Sequence, residues 1–230
     1  MSQIHFIGGE KGGVGKSVMA RLLAQYWIDR GQPFAGVDGD SSHGALLRHY
    51  SEFSQAVDLT AIDSADQILD RALGADRRVL VDLPAQSARA LSTWLFGANV
   101  LSLARELGTP ITFWHVTDGG FASVGQVEKA LDLYGTGAAH VVVKNLARSK
   151  DFTQLDASPA MAKLSEVSGK LIELPELDAI AMYKIDSSGL SYWAGAHAQG
   201  ESALKPLERE RVKLWLAKAY AQLDGLGDGI

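Results

Sequence analysis

The chain has 230 residues, with 22 Lys and Arg against 27 Asp and Glu, a formal net charge of -5 at pH 7 and no cysteine. That length suits one domain with a core that needs no staple, because a chain of this size buries roughly 70% of its unfolded surface. The absence of cysteine excludes disulfides, thiolate zinc sites, iron–sulfur clusters and cysteine nucleophiles, and the acidic balance argues against a surface built wholly for nucleic acid. The charge deficit is local, since residues 38–82 hold nine acids and four arginines. Apolar runs end well short of the roughly 18 residues that a bilayer span requires. The opening MSQIHFIGGEKGG has no basic stretch followed by an apolar one, so no secretory signal is read there. A soluble cytoplasmic protein is the expectation.

In chain order, short β-branched or aromatic runs alternate with longer stretches of helical period. This is the pattern of an α/β domain, a mostly parallel twisted sheet with helices on both faces. Residues 4–9, IHFIGG, read as a strand running into a glycine turn. Ser17 to Arg30 reads as a helix with Val18, Met19, Leu22, Leu23 and Tyr26 on one face, stopped by Gly31 and Pro33. Strands are expected at 33–38, at 57–63 (short or at an edge) and at 78–84, where the apolar run suits burial on both faces. A long helix is expected over 85–107, then a strand at 110–118, a helix at 121–134 and a strand at 139–145. A helix at 158–168, a strand at 170–175 and a last helix from Pro206 to Leu223, with Gly225 past its end, complete the reading. No repeat or linker divides the chain, so residues 1–230 read as one domain.

The chemistry concentrates in Gly8-Gly9-Glu10-Lys11-Gly12-Gly13-Val14-Gly15-Lys16-Ser17. A strand, a glycine-rich turn and a helix opening on Lys-Ser are the parts of a P-loop. The glycines let backbone N–H groups turn inward onto phosphate oxygens, and the new helix adds its positive end. Lys16 reaches the β- and γ-phosphates and the Ser17 hydroxyl ligates magnesium. Glu10 stands where the general pattern has its first glycine. Such a loop needs carboxylates to hold magnesium and position water. Two sets fall at strand ends, where open α/β sheets bind ligands: Val37-Asp38-Gly39-Asp40 and Val79-Leu80-Val81-Asp82-Leu83-Pro84. Asp38 and Asp40 also suit a turn with a helix cap, given Ser41, Ser42 and Gly44 behind them, and Asp82 also suits a strand-to-turn cap. No Asn-Lys-x-Asp guanine signature is present, which favours adenine.

Lys11-Gly12-Gly13-Val14-Gly15-Lys16-Ser17 matches K-G-G-x-G-K-[ST], and in this the chain resembles the MinD/ParA family of deviant Walker A ATPases. The resemblance implies ATP and Mg2+ as cofactors, with Gly12, Gly13, Val14, Gly15, Lys16, Ser17 and Val18 around the phosphates. It implies that Lys11 crosses the interface of an ATP-sandwiched homodimer to touch the other copy's phosphates, as against a solvated loop lysine. It also implies that Asp40 orients the attacking water, that Asp38 helps hold the hydrated magnesium bound by Ser17, and that Asp82 stands behind that ion. Val141-Val142-Val143-Lys144-Asn145 resembles the family's strand ending in an asparagine that reads the purine edge, although an asparagine there is also a common turn former. Leu174-Pro175-Glu176-Leu177 resembles the turn whose proline, Pro175, packs along the base. After the D-x-D, Ser41-Ser42-His43 departs from the Pro-Gln usual in ParA proteins. The length, the Asp-Gly-Asp-Ser switch and Val116-Thr117-Asp118-Gly119-Gly120 are similar to the compact members of StbB and TraL type from plasmid-stability and conjugal-transfer operons.

The resemblance leaves the cargo open, since MinD-type relatives end in a membrane-binding helix and ParA-type dimers bind DNA nonspecifically. The last helix carries Val212, Trp215, Leu216, Ala219 and Leu223 at three- and four-residue spacings, and residues 205–218 carry a net charge of +3. Docking on the core with a charged outer face is the first expectation. Contact with DNA is the second, and membrane attachment is disfavoured because the chain ends in Gly-Leu-Gly-Asp-Gly-Ile. The family reading is therefore a slow, partner-stimulated Mg-ATPase whose ATP-dependent homodimer positions plasmid DNA, a DNA-bound adaptor or a transfer complex. The alternative on the same scaffold is an ATP-dependent ligase of the dethiobiotin synthetase or cobyrinate amidase type, which needs a second substrate. A static adaptor that binds ATP without hydrolysis is a third reading.

Overall fold

A computed structural model of the chain describes residues 2–40, 44–200 and 203–227. Within them the strands are β1 (Gln3–Gly8), β2 (Phe34–Asp38), β3 (Ser54–Ala56), β4 (Arg78–Asp82), β5 (Ile111–Thr117), β6 (Ala139–Asn145) and β7 (Lys170–Leu174). They form one sheet in the order β3-β2-β4-β1-β5-β6-β7, and every pairing is parallel. The helices are α1 (Lys16–Asp29), α2 (Ala45–His49), α3 (Ile62–Leu73), α4 (Ala88–Gly97), α5 (Val100–Glu106) and α6 (Phe121–Tyr134). They continue with α7 (Thr153–Asp156), α8 (Pro159–Glu166), α9 (Ala179–Ser188), α10 (Tyr192–His197) and α11 (Pro206–Asp224). The expected α/β architecture with a buried parallel sheet is what the chain adopts.

Alternation along the central strands sends neighbouring side chains to opposite faces. Ile7, Leu80, Trp114, Val141 and Val143 pack beneath α1, α2 and α9 to α11, whereas Ile4, Phe6, Val79, Val81 and Phe113 pack beneath α3 to α5. A smaller cluster around Val142 seats α6, α7 and α8. The chain order reverses beside β1: the connection after α1 passes over β4 to β2, while the connection after α5 enters β5 on the other side. In such sheets the crevice at the carboxyl ends of the strands, at this reversal, is where a ligand sits. Register sets its contents. Asp38 and Asp82 are paired across β2 and β4, and Ile7 sits opposite Asp82 across β4 and β1.

Two expected elements are corrected. Residues 57–63 are not a strand; the edge strand is Ser54–Ala56, and the following Asp58 carboxylate accepts the Thr60 N–H and hydroxyl while Ser64 Oγ accepts the Asp58 N–H. Those short side-chain bonds outcompete the sheet ladder and start α3, which the sequence reading had missed along with α2, α7, α9 and α10. The helix expected over 85–107 is broken into α4 and α5 at Asn99, whose φ of 50° an asparagine tolerates better than most residues.

The last helix is docked, as expected. Val212, Trp215, Leu216, Ala219 and Leu223 are buried, and Trp215 Nε1 donates to the Pro175 carbonyl at 2.7 Å. At its far end Asp224 Oδ1 accepts from Tyr26 Oη and Arg30 Nη2 of α1 at 2.8 and 2.5 Å. Two basic residues of α11 are in ion pairs: Lys213 with Glu210 at 3.4 Å, and Arg211 with Asp178 at 3.6 Å. Among the described residues no helix is long and apolar enough to cross a membrane. Trp215→Ala is expected to cost about 3–5 kcal/mol in denaturant unfolding, as buried aromatic truncations do. Leu214→Ala, whose parent side chain is 57% exposed, is expected to stay within about 0.5 kcal/mol of wild type. Equal effects would mean that α11 is not packed as described.

Candidate nucleotide-binding site

β1 ends at Gly8, and the chain then turns through Gly9, Gly13 and Gly15 at φ values of 137°, 76° and 107°, which side chains disfavour. At Gly15 there is a second reason. A Cβ would stand 2.2 Å from Asn145 Nδ2, which donates to the Val14 carbonyl at 2.7 Å. The Asn145 oxygen accepts the Ala147 N–H at 3.0 Å, so this buried amide ties the end of β6 to the floor of the loop. Lys16, the first residue of α1, turns its ammonium back to the Lys11 carbonyl at 3.1 Å and closes the loop from within. Burial pushes the Lys16 amine below its ordinary range, against the opposing charges of Asp82 and Glu10.

The sheet register brings the acids beneath this loop. Asp82 is buried, and burial together with the neighbouring Asp38 charge pushes its carboxyl up to about 7, despite a hydrogen bond from Ser17 and the nearby Lys16 and Arg21. Its Oδ1 has no hydrogen-bond partner among the described residues. Asp38 is engaged throughout: Oδ1 accepts the Asp40 N–H at 3.1 Å, and Oδ2 accepts the N–H groups of Leu46 and Leu47 at 2.9 and 3.3 Å. Burial raises its pKa against those three bonds. The carboxylate thereby fastens the start of α2 to the end of β2. His43, with Ser41 and Ser42, lies outside the described residues.

Gly12, Gly13, Gly15, Lys16, Ser17, Val18, Asp40 and Asp82 line one cleft of about 360 Å³. Val14 is buried in the loop beside it, and neither Asn145 nor Pro175 is on its lining. Among the described residues no group of three or more acidic or imidazole side chains could hold a metal ion. The Ser17 hydroxyl and the Asp82 oxygen that has no hydrogen-bond partner among the described residues are oxygens that would fit a hydrated magnesium ion.

Lys11 lies apart from Lys16. Its ammonium donates to Asp118 Oδ2 at 2.5 Å and its backbone N–H to Gln126 Oε1 at 2.9 Å. Asp118 also accepts from the Ser123 hydroxyl at 2.5 Å and the Gly120 N–H at 3.2 Å. Partial burial would raise the Asp118 pKa, but these hydrogen bonds hold it below the usual carboxylate value. Neither Asp118 nor Gln126 has a local signature as a contact of the loop, although Asp118 directly follows β5. Arg21 and Arg148, which line the cleft, have none either. Arg21 is buried one helical turn beyond Ser17, where it donates to the Ser17 carbonyl at 3.2 Å and to Asp186 at 2.7 Å and lies 3.1 Å from His49 Nε2.

No protein-family model matches the sequence. The chain is 27% identical to Protein TraL of Escherichia coli, covering 97% of this chain and 98% of that one. It is 24% identical to Protein MobD of Acidithiobacillus ferrooxidans, covering 97% of each. Among solved structures, the septum site-determining protein MinD of Pyrococcus horikoshii, complexed with Mg-ADP, shares the fold at a TM-score of 0.56 and 17% identity, with all of both chains covered.

The Asp82 shift gives a pH dependence. Its folded pKa of about 7 lies above the ordinary value near 3.8, so the stability its proton confers is complete at low pH and is lost as pH rises through 7. In the absence of nucleotide and metal, the melting temperature of wild type is expected to fall relative to Asp82→Asn between pH 5 and 7.5. The scale is about 2–4 °C for each kcal/mol at this chain length. Parallel melting curves would mean that Asp82 titrates like an ordinary carboxylate.

Proposed function

We propose that this MinD/ParA-like P-loop protein is a cytoplasmic ATP-driven dimerisation switch that hydrolyses Mg-ATP slowly and positions plasmid DNA or a transfer complex. The observation that carries the reading is the divergence of the two loop lysines. Lys16 folds back into the loop at 3.1 Å from the Lys11 carbonyl, whereas the Lys11 side chain leaves the loop for Asp118 and stays 38% exposed. In this reading Lys16 serves the nucleotide of its own chain, and Lys11 leaves Asp118 to reach that of a second copy. The full-length similarity to TraL and MobD supports the plasmid setting, and the fold shared with a Mg-ADP complex of MinD supports the nucleotide.

In this mechanism the N–H groups of residues 12–18 and the Lys16 ammonium hold the phosphates. Ser17 would hold a magnesium ion, which would supply charge neutralisation at the phosphates. Asp38 holds the switch segment in place through the start of α2, and Asp82 accepts a hydrogen bond from the ion's hydration shell. Asp40 orients the attacking water. Asn145 steadies the loop through its bond to the Val14 carbonyl, and both ends of its amide are engaged in the protein. Neither it nor Pro175 lines the cleft, so the purine contacts expected of these two residues are not part of this proposal. Lys11 of the second copy neutralises charge on the transferred phosphoryl, a contribution of about 10³–10⁵ in rate where a cation is supplied in this way. The assembled dimer then engages DNA or a DNA-bound adaptor, and each phosphate neutralised would steepen the log–log salt dependence by about 0.9.

Light scattering tests the switch. The mass is expected to be that of a monomer with Mg-ADP and to double with Mg-ATP. Lys11→Ala is expected to bind ATP but stay monomeric. Asp118→Ala, which removes the intramolecular partner of Lys11, is expected to dimerise at lower ATP concentration. The same mass with either nucleotide would overturn the switch, and turnover that required an added carboxylic acid would replace it with the ligase reading.

A further inference from the structure

Glu10 is the residue by which the loop departs from the general phosphate-loop pattern, and its side chain is not among those lining the nucleotide cleft. Glu10 Oε1 instead accepts the backbone N–H of Ala88 at 2.6 Å. Ala88 is the first residue of α4, a helix whose preceding residue supplies no side-chain cap, because the Ser87 hydroxyl donates to the Pro84 carbonyl at 2.9 Å. A carboxylate from 78 positions earlier in the chain thus takes an N–H that the helix itself leaves without a partner. The bond is charge-assisted and lies at the positive end of the helix.

The segment that Glu10 grips is not remote from the nucleotide. Asp82 ends β4 and Ala88 starts α4; of the connection between them, Leu83, Pro84 and Ala85 line the cleft and Gln86 sits at a φ of 63°. A glutamine in the left-handed region stores strain that a small rearrangement of the connection would relieve. On the other side of Glu10 the next residue, Lys11, is tied to Asp118 and Gln126. Neighbouring residues of one tight loop do not turn independently, so a loop movement that takes Lys11 off Asp118 also turns the peptide that carries Glu10. Beneath the Glu10–Ala88 bond lies a cavity of about 260 Å³ between α4 and α6, walled by Leu91, Phe113, Val127 and Tyr134. The Glu10 side chain therefore borders open space rather than packed side chains on that side.

We infer that Glu10 is a positioning residue that clasps the phosphate loop to the Leu83–Ala88 connection in the ADP state and lets go in the ATP state. The inference rests on the switch reading for its purpose and on the Glu10–Ala88 bond for its geometry. The sign is electrostatic. A third phosphate adds negative charge on the loop that Glu10 belongs to, and like charges separate when a soft element allows it.

Hydrogen exchange over residues 83–89, read with Mg-ADP and with Mg and a non-hydrolysable ATP analogue, tests the clasp independently of dimerisation. In wild type the Ala88 amide is expected to exchange about tenfold faster with the ATP analogue, within the usual range of coupling between sites. In Glu10→Ala it is expected to exchange fast with both nucleotides, and the preference of the dimer for ATP over ADP is expected to fall by a similar factor while ADP affinity stays near wild type. Glu10→Gln, which keeps an acceptor, is expected to restore most of the difference. A structural role alone would instead lower melting temperature and ADP affinity in Glu10→Ala without touching that preference. Equal protection of Ala88 with both nucleotides in a wild type that dimerises would overturn the clasp and leave the switch standing. A wild type that stays monomeric but still changes Ala88 exchange would support the clasp and overturn the switch.

Discussion

The phosphate loop keeps its shape because residue 15 has no side chain. With a Cβ only 2.2 Å from the Asn145 amide nitrogen, any other residue would push the end of β6 away from the loop, and the bond to the Val14 carbonyl would be lost. From that contact the remaining geometry follows. The loop is pinned to the sheet, α1 starts immediately after the pin, and Lys16 and Ser17 fall where the positive end of the helix meets the crevice. A backbone that must expose several N–H groups to one point cannot hold itself together by its own hydrogen bonds. Here a buried amide at the end of β6, five strands later, does so.

The same crevice concentrates negative charge. Register alone pairs Asp38 with Asp82; Asp82 and Asp40 line the cleft, while Asp38 is buried behind it. Among the described residues Asp38 accepts three backbone N–H groups, whereas Asp82 Oδ1 has no partner and burial holds its pKa near 7. Two buried carboxylates side by side are unfavourable unless a cation or proton is shared among them. Here burial and the neighbouring Asp38 charge raise the Asp82 pKa to about 7, so a proton shared at this pair is one way the cost is met.

Much of this was legible in the sequence. Glycine spacing, the Lys-Ser at the helix start and three strand-end aspartates have local signatures, because each depends on chemistry within a few residues. The central strands were legible for the same reason, as continuous apolar runs. What stayed hidden depends on distant pairs: Glu10 with Ala88, Lys11 with Asp118, and Arg21 with Asp186 are separated by 78, 107 and 165 positions. The strand expected at 57–63 failed for the opposite reason, since Asp58 and Ser64 form bonds too local for an alternation pattern to register. Asn145 illustrates both. Its place at a strand end was readable, but its hold on Val14 was not.

The docking of α11 has a mechanical consequence. Asp224, near the end of the described chain, is bonded to Tyr26 and Arg30 at the far end of α1, while the near end of α1 is the phosphate loop itself. At 1.5 Å per residue the 14 residues of α1 make a strut about 21 Å long, fixed at both ends. A strut held in this way tilts as a unit instead of fraying. A displacement of α11 at Asp224 therefore reaches the glycine loop through α1, and the two helices share a common frame.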